Sequence, residues 1–261
     1  MSLKKYLKLA KFELFPICRS ITGEGFLNSL KIIKKEIPIL KIYKTKSGTK
    51  VFDWKVPKEW NIKDAYIIDK NGEKIVDFKN NNLHVVNYSH PIEKKLKKRE
   101  LLKKIHTLKK NKNAIPYVTS YYKKNWGFCI SENQKRKIIK NYNQKDSFQV
   151  KINSSFKKDG FLNYGEVILK GKSKQEILIS TYLCHPSMAN NELSGPIVTM
   201  ALINFFKRKN LSKTLRFIFI PETIGSITYL QKNLRNLKKN VIAGYNLTCI
   251  GDDRMHSCML S

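Results

Sequence analysis

Arginine is scarce in this sequence. It supplies seven of the 51 Lys and Arg residues in the 261-residue chain, and only 20 residues are acidic. The formal charge of +31 is therefore almost all lysine, whose ammonium lacks the planar fork that reads base edges or grips phosphate in two places. Lys, Asn and Ile are abundant together throughout, the mixture that an AT-rich coding bias produces. The lysine load peaks once, from Lys94 to Lys112, and is otherwise spread out. It reads as solvated surface and makes a nucleic-acid partner unexpected, leaving a salt-screened attraction to anionic polymers. Cysteine is sparse and scattered: Cys18, Cys129, Cys184, Cys249 and Cys258 form no CxxC pair. Neither a disulfide framework nor a cysteine zinc site is indicated, and a reducing cytoplasm fits best. No apolar run approaches the roughly 18 residues of a membrane span. The opening MSLKKYLKLAKFELF lacks a continuous apolar core and a small-residue cleavage site, so it does not read as a secretory signal.

What is present is enough for a core: 41% hydrophobic and 11% aromatic residues, which excludes whole-chain disorder. Residues 3–36 read as helix, a break at Pro16 with a turn over Ile21–Gly25, and a second helix from Phe26 to Ile37. From 38 to 92 the period changes to two. KIYKTKSG alternates, Asp64–Ile68 and Lys74–Phe78 flank the hairpin signal Lys70-Asn71-Gly72, and Leu83–Tyr88 is a further strand. Leu96, Leu101, Leu102, Ile105 and Leu108 predict a lysine-rich helix over 93–110. A helix is expected over 131–141, then Ser147–Ile152 and Tyr164–Leu169 as a pair of strands. Three short apolar runs follow, Ile177–Leu183, Leu215–Ile220 and Val241–Leu247, separated by helical segments Gly195–Phe206 and Ser226–Leu237. Buried strands alternating with helices predict an α/β sheet of parallel character. The division this suggests is an α/β domain from 1–37 and 130–261, with 38–129 as an inserted β-rich domain.

Each of the three apolar runs ends in polar chemistry. The first leads into Cys184-His185-Pro186, then Asn190-Asn191-Glu192 before a Ser194-Gly195 turn; the second into Pro221-Glu222-Thr223; the third into Thr248 and the acids Asp252 and Asp253. Ligands in α/β sheets bind beyond the carboxyl ends of the strands, so His185, Asn191, Glu222 and Asp252 are candidates to converge on one cavity. Each segment alone also suits a helix cap or a structural side chain.

The order of these segments resembles the co-catalytic zinc aminopeptidases, the bacterial leucine aminopeptidases and glutamate carboxypeptidase among them. More closely, FPICRSITGEG, VFDWKVPKEWNIKDAYI, LHVVNYSHPI, AIPYVTSYYKKNWGFC, LCHPSMANNELSGP, FIPETIGSITYL and CIGDD resemble the aminopeptidase-like proteins of surface-polysaccharide biosynthesis clusters. That resemblance runs over nearly the whole chain. It implies an α/β fold, a three-layer mixed sheet with helices on both faces and an inserted β-rich domain. It also implies a metal-dependent, cytoplasmic hydrolase of peptide or amide bonds that uses zinc and acts on a small peptide or aminoacyl substrate. Under it, His185 matches the first metal ligand and Glu222 the general base. Asn191 stands at the bridging Asp, Thr223 at the ligand Glu and Thr248 at the third carboxylate. A neutral amide or hydroxyl binds a divalent cation far more weakly than a carboxylate. One metal on His185, with Asn191 or Asp252 nearby and Glu222 or Glu192 as acid–base group, is the form the site is then expected to take. Relative to that family the sequence reads as truncated after Ser261, with His256 as a stand-in ligand or a surface histidine, and the chain is expected to be a weak hydrolase. A catalytically degenerate ligand-binding relative and a basic polymer-binding protein are the alternatives.

Overall fold

A computed structural model describes residues 3–253 and 257–259; His256 lies outside them. The elements in chain order are α1 (Leu3–Leu9), α2 (Glu24–Glu36), β1 (Lys41–Lys46), β2 (Lys50–Val51), β3 (Trp54–Lys55), β4 (Glu59–Ile68), β5 (Lys74–Asp77) and β6 (Ile92–Lys97). They continue with α3 (Lys98–Leu102), β7 (Ile105–His106), β8 (Phe128–Cys129), α4 (Glu132–Asn141), β9 (Ser147–Lys157), β10 (Phe161–Leu169) and β11 (Glu176–Tyr182). The last are α5 (Ser194–Phe206), β12 (Thr214–Ile220), α6 (Ile224–Asn240) and β13 (Val241–Asn246). The chain divides into two compact units, one formed up to Glu59 and from Lys158 onward, the other Trp60–Lys157.

The first unit carries a five-stranded mixed sheet in the order β1-β10-β12-β11-β13. β11 runs parallel to both β12 and β13, while β10 is antiparallel to β1 and β12. All seven residues of β12 are buried, as a central strand covered on both faces requires. The chain passes from β11 through α5 to β12 on one side of β11, then through α6 to β13 on its other side. With right-handed crossovers, these opposite directions send α5 and α6 to opposite faces of the sheet. α2 buries Phe26, Ser29, Leu30 and Ile33, the spacing of one helical face.

A buried ion network joins the three central strands. Arg216 of β12 donates from Nε and Nη2 to both Glu176 oxygens (2.5 and 3.0 Å) and from Nη1 to Glu166 Oε1 at 2.6 Å. The Tyr229 hydroxyl of α6 donates to the same Glu166 oxygen at 2.5 Å.

The second unit has a four-stranded sheet in the order β5-β4-β9-β6 and a parallel pair, β7 and β8. Gly72 takes φ +87 in the turn between β4 and β5, the left-handed conformation a tight hairpin asks for. Trp60 packs on Tyr88 and donates its indole N–H to Ser89 O at 2.9 Å. Asp69 accepts backbone N–H bonds from Asn71 and Glu73 and the Tyr142 hydroxyl at 2.8 Å.

Four sequence expectations change. Leu83–Tyr88, expected as a strand, overlaps a 3₁₀ turn over Asn82–His84 and pairs through isolated bridges at Val85 and Asn87. The boundaries of the inserted unit move from 38–129 to 60–157, because β1 pairs with β10 in the main sheet while β9 pairs with β6. Ser147–Ile152 and Tyr164–Leu169 are strands, but of different sheets. The helix expected over 93–110 is instead strand β6, the five-residue α3 and β7. Cross-strand pairing of Ile92–Lys97 with Ser147–Ile152 overrides the helical spacing of its leucines, and the lysines occupy an edge strand, where charge discourages further pairing.

Arg216→Ala leaves two buried carboxylates without their cation and is expected to cost about 3–5 kcal/mol by chemical denaturation. Tyr142→Phe is expected to cost about 1–2 kcal/mol at pH 7 through its lost bond to a carboxylate. Burial alone would raise the Asp69 pKa, but the Tyr142 hydroxyl and the Glu73 and Asn71 N–H groups outweigh it and lower it below 3.8. The stability contributed by this depressed carboxyl is present above its unfolded value and lost as pH falls through the folded one. The difference between wild type and Tyr142→Phe should therefore shrink as pH is lowered below about 3.8, read from denaturation midpoints; a gap unchanged at pH 2.5 contradicts the assignment.

Candidate active site

β11 and β12 are neighbouring parallel strands whose following helices leave for opposite faces, which opens a crevice at their carboxyl ends. The ladder continues one step beyond β11, with Leu183 N–H donating to Ile220 O at 3.0 Å. His185 and Glu222 follow directly. The His185 Nε2 lies 3.1 Å from Glu222 Oε2. His185 is buried, whereas the Glu222 side chain is 51% exposed and open to water.

The other edge of the imidazole faces inward. Its Nδ1 is 3.0 Å from Glu192 Oε2 and 3.3 Å from Asn191 Oδ1. Glu192 is 0% exposed and comes from a five-residue π-turn, Ala189–Leu193, that leads into α5. Its Oε1 accepts the backbone N–H groups of Cys184 and, at 2.7 Å, His185. Arg19, also 0% exposed, donates from Nε and Nη2 to His185 O (3.2 and 2.8 Å) and from Nη1 to Leu14 O. The Cys184 thiol accepts the Glu222 N–H at 3.3 Å, and burial pushes its pKa up. Burial alone would lower the His185 pKa, but the adjacent Cys184 sulfur and the Glu192 carboxylate reverse this and push it up to about 12.

Three of the six described non-glycine residues with positive φ lie here. Ser187, Thr223 and Cys249 have φ of 52, 57 and 52, and they sit in the loops after β11, β12 and β13 respectively. A β-branched residue at such a φ is a genuine outlier, and such strain clusters at functional sites. The loop after β13 is drawn tightly onto Gly195, where an added Cβ would stand 2.2 Å from Leu247 O.

The sequence-derived candidates therefore separate. His185 and Glu222 meet directly. Asn191 reaches the same ring from the Nδ1 edge, with its Nδ2 3.6 Å from Cys249 Sγ. Asp252 accepts from Asn190 Nδ2 at 2.7 Å. It lines a different cleft, an apolar one of about 960 Å³ that includes Leu7, Phe12, Phe15 and Ile197. Glu222 lines a polar hollow of about 290 Å³ with Ser180, Tyr182, Thr223, Ser226 and Asn246. The Thr248 hydroxyl bonds to that of Tyr182. The inward role of Glu192 and the Arg19 contact have no periodic signature. The one available hint is that Arg19 is among few arginines in a lysine-rich chain.

The donor chemistry fits one zinc and not two. Two donors on one tetrahedral zinc stand about 3.4 Å apart, given bonds of about 2.0–2.1 Å, close to the 3.1 Å between Nε2 and Oε2. Asn191, Thr223 and Thr248 offer neutral groups where a second ion needs charge. Cys184, His185 and Glu192 also bring ligand atoms within 4.8 Å of one another.

The family described as "Domain of unknown function (DUF4910)" matches residues 8–261. A Clostridium acetobutylicum protein named as a polysaccharide biosynthesis protein with an aminopeptidase-like domain is 52% identical over 245 residues, which cover 92% of this chain and 54% of that protein. A crystal structure of a C. acetobutylicum protein, named only as a peptidase, superposes with a TM-score of 0.89 at 48% identity, covering 96% of this chain and 57% of that one. BSAP, a zinc aminopeptidase from Bacillus subtilis, superposes with a TM-score of 0.63 at 14% identity, over 95% of this chain and 68% of that one; it shares the fold. The chain thus spans just over half the length of its C. acetobutylicum relatives. It belongs to the family described as a domain of unknown function, DUF4910, and its fold is that of the aminopeptidases.

Proposed function

We propose that this protein is part of a metal-dependent hydrolase of peptide or amide bonds, acting on an aminoacyl or acylamino group in surface-polysaccharide biosynthesis. The observation that carries this reading is the meeting of His185 Nε2 and Glu222 Oε2 at 3.1 Å in the crevice between β11 and β12. The fold shared with zinc aminopeptidases and the name of the 52% identical relative support it. His185, through Nε2, and Glu222, through one carboxylate oxygen, would hold the ion. A zinc held there would supply Lewis acidity, polarising a carbonyl and making water easier to deprotonate. A carboxylate engaged through one oxygen keeps the other as a proton acceptor. Glu222 takes a proton from the attacking water as the C–O bond forms and returns it to the amine nitrogen as the C–N bond breaks. The polar hollow beside Glu222 suits a small polar substituent. The five cysteines, none disulfide-bonded, favour a cytoplasmic setting. Among the described residues no helix is long and apolar enough to cross a membrane. Asp252, bonded to Asn190, is read as a loop anchor rather than a ligand.

A second reading, a ligand-binding relative without turnover, is favoured by Asn191, Thr223 and Thr248 at the positions of expected carboxylates. Metal analysis and hydrolysis separate the two. Under the hydrolase reading, purified protein binds one zinc, cleaves aminoacyl amides, and loses both properties in His185→Ala. Glu222→Gln lowers turnover about 10²–10⁴-fold. Stoichiometric zinc with no hydrolysis of any amide tested would favour the binding reading.

A further inference from the structure

Glu192 belongs to no expected ligand set, yet its carboxylate is fully enclosed beside His185. Its Oε1 is taken by two consecutive backbone N–H groups, those of Cys184 and His185. Its Oε2 is buried and makes no hydrogen bond among the described residues, but the ring nitrogen Nδ1 stands 3.0 Å from it, at ion-pair distance. The Asn191 oxygen faces that same nitrogen at 3.3 Å. A ring nitrogen opposed by oxygen acceptors carries a hydrogen; without a cation Nε2, facing Glu222 Oε2 at 3.1 Å, carries one too, and this outer hydrogen is the one a cation would displace.

We propose that Glu192 is a positioning residue: it keeps the hydrogen of His185 on Nδ1, so that Nε2 alone is offered to a cation, and it keeps the buried Cys184 sulfur out of the coordination shell. This rests on the metal-site reading above and adds which edge of the ring binds. Two cation positions are conceivable around His185, the enclosed group of Cys184, His185 and Glu192 and the open side shared with Glu222. The first would require Nδ1 to lose the hydrogen that the Glu192 and Asn191 oxygens face, and the buried Cys184 to lose its thiol proton, although Glu192 could offer Oε2 while Oε1 kept its two backbone amides. The second disturbs neither. A carboxylate is also the one common side chain that can serve three donors from two directions. In Glu192→Gln a single oxygen remains, so the NH₂ must face either the backbone amides or Nδ1. A donor opposite Nδ1 favours keeping the ring hydrogen on Nε2, where it blocks the cation.

The test uses cobalt(II) as a probe for the zinc position, with calorimetric titration alongside. The wild type should give a cobalt adduct without a thiolate charge-transfer band. Cys184→Ser should match it in spectrum and within about twofold in affinity. Glu192→Gln should bind about 10–100-fold more weakly, the effect expected of a residue that orients a metal-bound histidine. In chelator-treated ¹⁵N-histidine-labelled protein, the Nδ1 proton of His185 should give a far-downfield, slowly exchanging resonance that is lost in Glu192→Gln. A thiolate band that vanishes in Cys184→Ser would make the enclosed group the metal site and overturn the proposal. Unchanged affinity together with an unchanged Nδ1 resonance in Glu192→Gln would also overturn it. If the wild type binds no cobalt, the hydrolase reading fails, while the Nδ1 resonance still decides for or against Glu192. Should Glu192→Gln not fold, the wild-type spectrum, Cys184→Ser and the wild-type resonance decide alone.

Discussion

Arg216 holds the register on which everything at the strand ends depends. It lies on the middle strand of three, between an antiparallel neighbour and a parallel one, and its guanidinium reaches a carboxylate on each. A slip of one residue would turn it to the other face of the sheet and strand Glu166 and Glu176 in the core. With the register held, Tyr182 stands opposite Ile220, and the residues that follow each strand arrive together. The pairing of His185 with Glu222 is thus set several residues upstream, inside the sheet rather than in the loops.

The loops then need only local fastening. Glu192 gathers the amides of Cys184 and His185, Arg19 takes the His185 carbonyl, and the Cys184 sulfur receives the Glu222 amide. Both peptide units around His185 are thereby bound to side chains, while the exposed carboxylate of Glu222 is held chiefly by its backbone. The left-handed Thr223 next to it marks where the chain is bent to bring that carboxylate to the ring. The inner half of the site is rigid and enclosed, and the outer half is open to solvent.

The central strands were legible in the sequence because burial on both faces leaves a continuous apolar run. The candidate residues were legible because polar groups follow those runs at once. The inserted unit was visible as a change of period, but its limits were not. An edge strand such as β1 has the same alternation whichever sheet it joins, and only pairing with β10 assigns it. Residues 92–97 carry leucine and lysine at spacings that suit a helix equally well, and cross-strand partners decide. Glu192 could be read as an acid or base from its neighbourhood, but its inward direction depends on a π-turn that has no pattern of its own.

Two of the seven arginines, Arg19 and Arg216, are buried at 0% and 5% exposure, and each uses three guanidinium nitrogens on fixed partners. Lysine could supply the charge at either place but not the planar, divergent set of donors. In a chain where lysine so outnumbers arginine, these two positions are where replacement of arginine by lysine would be arrested by geometry. At both places the interior asks for a shape of donor set that lysine does not have.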